Sequence, residues 1–276
     1  MSDFPSTPRQ LAIQTRYQLL TFWRIPVAMF FTLGLPLVML VLFNALFGDG
    51  MIDVDGGEWS VQQFYTGGLA AFTAVSATFT NLATMVPTRR DEGVLKRWRA
   101  TPLPTWLYIA GFIVSAVVLA MIGMALMVTL GVVAYDLQIE ADKVPALIVT
   151  FIVGVSSFAA LGMALAAMVK TASGAGAAAN AIILPLAFVS NVFIPLEDPP
   201  RWIVVLGDIF PLKPFANAVQ DCFSPFVEAP GFDVAGLLQI AAWGVVGLVI
   251  ALTQFTWEPS GSAPRARRSR ARSSAG

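Results

Sequence analysis

Histidine is absent from these 276 residues, and cysteine occurs once, as Cys222. Without histidine there is no Ser/His/Asp set and no HExxH zinc motif. A single cysteine excludes an intrachain disulfide framework and a cysteine-rich metal site. Charge is scarce too: 12% of the residues are charged against 57% hydrophobic, and mean hydropathy is +0.72. That is the composition of a polytopic membrane protein. A phosphate-binding P-loop is also missing. It needs Gly-Lys-Ser/Thr, and Lys170, the one lysine followed by Ser or Thr, is preceded by Val169. The chain is therefore not read as an enzyme, and it is expected to hold no cofactor or metal.

What the sequence has in quantity is long apolar runs. A crossing takes about 20 apolar residues, and six stretches qualify, near 25–47, 64–87, 105–135, 144–169, 174–196 and 234–256. The expected fold is all-α, with six transmembrane helices forming one membrane domain over residues 1–258. The first run starts near Ile25 and is too long for a signal core, so no cleavable signal peptide is expected. Pro26, Pro36 and Pro185 fall inside spans, where neighbouring helices absorb a kink. Residues 259–276, rich in Pro, Ser, Ala and Arg, read as a disordered basic tail. Ahead of the first span, Arg9 to Arg24 has a roughly helical pattern. Gln14, Gln18 and Thr21 make a polar stripe, with Leu19, Leu20 and Trp23 mostly opposite. This predicts an amphipathic helix on the cytoplasmic surface.

Basic residues set the orientation. With both termini and the loops at 88–103 and 170–173 inside, 14 of the 17 basic residues lie on the cytoplasmic side. Lys143, Arg201 and Lys213 remain outside, and the first external loop carries only Asp49, Asp53, Asp55 and Glu58. The positive-inside rule favours that arrangement in a plasma membrane. Between Glu197 and Asp233, the apolar run at 201–212 is too short to cross. Prolines on either side predict two short external helices, with Trp202, Phe210 and Phe215 as interface anchors.

The span interiors hold no Asp, Glu, Lys or Arg. Ion-coupled transporters keep such groups in the membrane to bind the coupling ion, and no charged ring or carbonyl filter marks a channel. Asn44, Asn81, Asn180 and Asn191 read as helix–helix glue. The G-A-G at 174–176 reads as small residues for close packing. Chemistry concentrates instead in the loop P-T-R-R-D-E-G-V-L-K-R-W-R-A-T-P-L, residues 87–103. Asp91 and Glu92 stand where a short helix is expected to start, since its dipole favours negative charge there. Val94, Leu95 and Trp98 then share one face, and Thr101-Pro102 ends the helix. The inference is that energy arrives from a cytoplasmic partner through this basic, aromatic knob.

This loop resembles the one after the second helix of type-2 ABC transporter permeases, R-E-x-G-x-L-K-R-x-x-x-T-P-L. The stretch S-N-V-F-I-P-L-E-D-P-P-R-W-I followed by F-P-L-K-P-F-A-N-A-V-Q-D is similar to that family's second signature, after the fifth helix. Asp221-Cys222-Phe223 stands where the family often has an Arg. The resemblance implies a pair of permeases on a pair of ATPase subunits, which hold the ATP and Mg. It implies ATPase contacts at Arg90, Glu92, Val94, Leu95, Arg97 and Trp98. The second and fifth helices would line the route between the permeases. Phe72 and Phe79, seven apart, would face that route or lipid, and spacing leaves both open. Partners are then an ABC ATPase, a second permease and membrane lipid, with no nucleic acid. Size and the lack of an extracytoplasmic domain look most like drug and antibiotic efflux permeases. A polysaccharide or lipid exporter is the first alternative. A secondary transporter or channel, and a membrane scaffold, are the others.

Overall fold

The computed structural model describes residues 6–48, 50–54, 57–94, 105–196 and 199–254. The chain begins with α1 (Thr7–Trp23) and α2 (Pro26–Phe47). Two short antiparallel strands follow, β1 (Met51–Val54) and β2 (Gly57–Ser60), with Ile52 opposite Trp59. Then come α3 (Val61–Asp91), α4 (Thr105–Tyr135), α5 (Val144–Met168) and α6 (Ala172–Phe188). Two short helices, α7 (Arg201–Ile209) and α8 (Leu212–Asp221), precede α9 (Val234–Gln254).

Among the described residues, five helices are long and apolar enough to cross a membrane: α2, α3, α4, α5 with its leading turn, and α9. The fifth expected span is shorter than its apolar run. At 17 residues, α6 is about 25 Å long, against a hydrocarbon core of roughly 30 Å. It stops at Phe188 because Asn191, at φ 56, turns the chain left-handed, a conformation that Asn tolerates better than most residues. The expected pair of short helices is present, bent by 87° at Phe210–Pro211. The strand pair between α2 and α3 was not expected from the sequence.

Most of the bundle packs on α3, while α1 packs on α4 and α9 on α5. Every residue from Phe64 to Phe79 is buried, and α2, α4, α5, α6 and α8 all touch it. Gly67, Gly68, Ala70, Ala71, Ala74 and Ala77 give this helix a slender profile. Backbones then approach closely, the usual device when lipid supplies no hydrophobic drive between helices. The outer helices bury one face and expose Val, Leu and Ile on the other, as Leu238, Val245, Leu248 and Leu252 do on α9. Such a surface suits hydrocarbon rather than water.

The N-terminal helix forms where expected, but its polar stripe faces inward. Gln14 and Gln18 are buried, and a Cβ on Gly111 of α4 would lie 2.8 Å from the Gln14 Cβ. Ile13, Tyr17, Leu20 and Trp23 are exposed instead. The apolar side is thereby free to enter the bilayer, while the amides lie against the bundle.

Candidate coupling site and translocation surface

The C-terminal end of α3 is the best-defined polar site. Helix α3 continues through Pro87 to Asp91, and Gly93, at φ 67, ends it. The Glu92 and Gly93 N–H groups donate back to the Thr88 and Arg90 carbonyls, each at 3.0 Å. Asp91 and Glu92 therefore close the long helix α3, and the short helix expected after them lies, beyond Val94, outside the described residues. Glu92 pairs with Arg89 at 3.1 Å on the surface, a contact that contributes little in water.

Arg90 is only 3% exposed. Its guanidinium donates to the Ala166 carbonyl at 3.4 Å and to the Val169 carbonyl, both at the C-terminal end of α5. The carboxylate of Asp91 accepts from the Ala172 N–H at 2.8 Å, on the first residue of α6. Helix C-termini are partially negative and N-termini partially positive, so each charge meets the end that suits it. Of the expected partner contacts, Arg90 thus points into its own chain. Glu92 is exposed and Val94 partly so. Leu95, Arg97 and Trp98 lie outside the described residues.

Phe72 and Phe79 are both buried within the chain. A five-residue π-turn, Ser76–Thr80, lies between Phe72 and the end of α3 and contains Phe79. It adds a residue to the helix, so positions seven apart across it no longer share a face. Phe72 meets Phe193 edge-on, ring centres 4.9 Å apart, and Phe193 in turn meets Phe188 at the end of α6. Phe79 lines a cavity of about 210 Å³ with Phe158, Ile183, Leu186 and Trp243. A Cβ on Gly162 of α5 would meet the Phe79 carbonyl oxygen at 2.7 Å, so only glycine lets α5 pass this turn.

At the opposite end of the bundle, the short helices α7 and α8 dip into it. Phe215 is fully buried against Phe158 and over Gly154 of α5. Phe210 stacks on Trp243 at 5.6 Å, and the Trp243 indole N–H donates to the Ile209 carbonyl at 2.8 Å. Of the three expected interface anchors, only Trp202 is strongly exposed, at 62%. The 87° bend explains the other two: it turns Phe210 and Phe215 toward α5 and α9.

Several structural residues escaped the sequence reading. Gln220 is buried and donates to the carbonyls of Phe64 and Asn191 at 3.2 and 3.1 Å. Lys143, 1% exposed, donates to the Ser224 carbonyl at 2.6 Å and pairs with Glu140 at 2.9 Å. Adjacent glycines at 67–68 and a lysine at a span start were the available signals.

Comparison with known proteins gives these positions a family context. The family model described as ABC-2 type transporter matches residues 9–223. The chain is 28% identical over 243 residues to the daunorubicin resistance ABC transporter permease protein DrrB1 of Streptomyces coeruleorubidus. That alignment covers 85% of this chain and 81% of the relative. It is 27% identical over 210 residues to the putative transport permease ycf38 of Cyanophora paradoxa, covering 73% and 69%. With the probable multidrug ABC transporter permease YbhR of Escherichia coli K12 it shares 22% identity over 153 residues, 53% of this chain and 41% of the relative.

Proposed function

This chain belongs to the ABC-2 type transporter family, and from that premise we propose that it is the membrane subunit of a drug exporter. Its cargo is a hydrophobic or amphipathic small molecule. ATP and Mg are held by a separate cytoplasmic ATPase subunit. The observation that carries this reading is the distribution of charge. The span interiors hold no Asp, Glu, Lys or Arg, while five basic residues crowd the single loop at 88–103. A protein without an ion-binding group in the membrane and without a P-loop takes its energy from outside itself. The likeness to a daunorubicin resistance permease along 85% of the chain supports a drug-like cargo.

In this reading the ATPase seats on the segment that follows Glu92 and Val94, with Leu95, Arg97 and Trp98 as its anchors. Closure of the ATPase pair around ATP moves this loop and shifts the spans between inward- and outward-open states. A second permease copy completes the pathway. Support for a protein neighbour comes from α6, whose exposed side carries Asn180 beside Ile182, Leu184 and Phe188. A lipid-facing amide in mid-helix is costly and is satisfied at a helix–helix contact. In this reading the chain crosses six times with both termini in the cytoplasm, the arrangement that the 14-to-3 division of basic residues favours.

The test is co-expression with the candidate ABC ATPase in a drug-sensitive host. The pair should co-purify from membranes and lower cellular accumulation of a fluorescent anthracycline. Neither subunit alone should do so. Unchanged accumulation with both subunits present in the membrane would reject the drug-export reading.

A further inference from the structure

We propose that Arg90 and Asp91 are positioning residues that fasten the inner turn between α5 and α6 to the end of α3. A displacement of the 88–103 loop is then delivered to three helices at once. The inference rests on the reading of this chain as an ATPase-driven permease.

The two residues act as a fork of opposite charges. Arg90 gives its guanidinium N–H groups to the carbonyls of Ala166 and Val169, which close α5. Asp91 takes the N–H of Ala172, which opens α6. Neighbouring side chains thereby grip both sides of one tight turn, each at the helix end whose dipole suits it. Capping alone does not require this, because Thr171 already accepts from the Gly174 N–H at 3.2 Å. Burying an arginine, which stays charged, is costly unless its donors are used. Here the Arg90 Nε has no partner among the described residues. The site therefore holds a charge that a simple turn would dispense with.

A second contact makes the assembly stiff. Gly162 of α5 packs on the π-turn of α3 at Phe79. Helices α3 and α5 are thus joined at two levels, at Gly162 and again at Ala166–Val169. The inner part of α3, α5 and the start of α6 form one lever. The loop that leaves Gly93 is its handle.

The experiment uses the full chain with its ATPase in proteoliposomes, measuring ATP hydrolysed and anthracycline transported per assembled complex. Arg90→Gln and Asp91→Ala should assemble within twofold of wild type and keep hydrolysing ATP. Molecules transported per ATP should fall at least tenfold. Asp91→Asn, which keeps an oxygen acceptor for Ala172, should retain at least half of the wild-type ratio. If Arg90→Gln does not accumulate in the membrane, Asp91→Ala decides alone, since that residue is exposed. A wild-type transport ratio in Asp91→Ala overturns the proposal, as does a loss that only follows complex yield. Absence of ATP-driven transport in the wild-type complex would instead reject the underlying permease reading.

Discussion

Gln220 lies directly over Gly67: a Cβ on that glycine would meet the Gln220 Cα at 2.9 Å, while the Gln220 amide donates to the Phe64 carbonyl at 3.2 Å. Through this contact α8 is seated on the central helix α3. A hydrogen bond of this kind contributes about 1 kcal/mol net, and leaving buried groups unpaired costs about 1–3 kcal/mol.

Gln220→Ala should therefore lower stability by about 1–3 kcal/mol, since it removes the buried donor to the Phe64 and Asn191 carbonyls. Gly67→Val should cost at least as much, because two backbones must separate. Thermal unfolding in detergent measures both. An unchanged Tm for Gly67→Val would contradict the close approach of α3 and α8.

Gly154 and Phe215 form a tight complementary pair. A Cβ on Gly154 would lie 2.1 Å from the Phe215 ring. Gly154→Ala alone should destabilise by about 1–3 kcal/mol through overpacking. The double variant with Phe215→Leu should recover part of that loss, a coupling that a double-mutant cycle on thermal stability reads directly. Strict additivity of the two changes would contradict the packing.

Lys143 should tolerate no apolar replacement. Its ammonium is buried and supplies a donor to the Ser224 carbonyl. Lys143→Met orphans that carbonyl and should cost about 1–3 kcal/mol, whereas Glu140→Gln, at an exposed partner, should cost under about 1 kcal/mol. Equal effects of the two would show that the surface ion pair, rather than the buried donor, matters.

Cys222 is 3% exposed and donates to the Ala218 carbonyl. In intact cells it should stay unreactive toward an impermeant maleimide and become reactive on denaturation. Fast labelling of the native protein would contradict the seating of α8. Orientation is better read from cysteines introduced in a cysteine-free background, at Glu58 for the outside and Glu92 for the inside.

These residues also mark how far sequence reasoning reaches. Apolar length and basic loops were sufficient to place the helices and to set the loop at 88–103 apart, because hydrophobic burial and membrane charge act locally. The short outer helices were legible from Pro199, Pro200, Pro211 and Pro214 for the same reason. What the sequence hid depends on partners far along the chain. Arg90 looks like one more surface arginine until the carbonyls of Ala166 and Val169 appear beside it. Phe72 and Phe79 share a face on an ideal helix, and the π-turn that contains Phe79 has no composition cue. The amide stripe of α1 looks solvent-facing until α4 is packed against it.

The knob itself yields a sharp expectation. If Trp98 anchors the ATPase, Trp98→Ala should cost at least about 2 kcal/mol, or roughly thirty-fold in affinity. Membrane abundance should remain normal. Arg97→Glu should weaken the complex further if it faces an acidic groove, by repulsion and slower association. Co-purification with the ATPase measures both. Normal complex formation in the two variants would leave only a topological role for the loop, since other basic residues still hold it inside.

The central claim is that transport by this chain is driven by ATP on a partner and not by an ion gradient. The most direct measurement is anthracycline movement in proteoliposomes containing this chain with and without its ATPase, energised by ATP or by an imposed proton gradient. The account predicts transport only with both subunits and ATP, and none from the proton gradient, since the span interiors hold no carboxylate to carry the proton. Gradient-driven transport by this chain alone would contradict it.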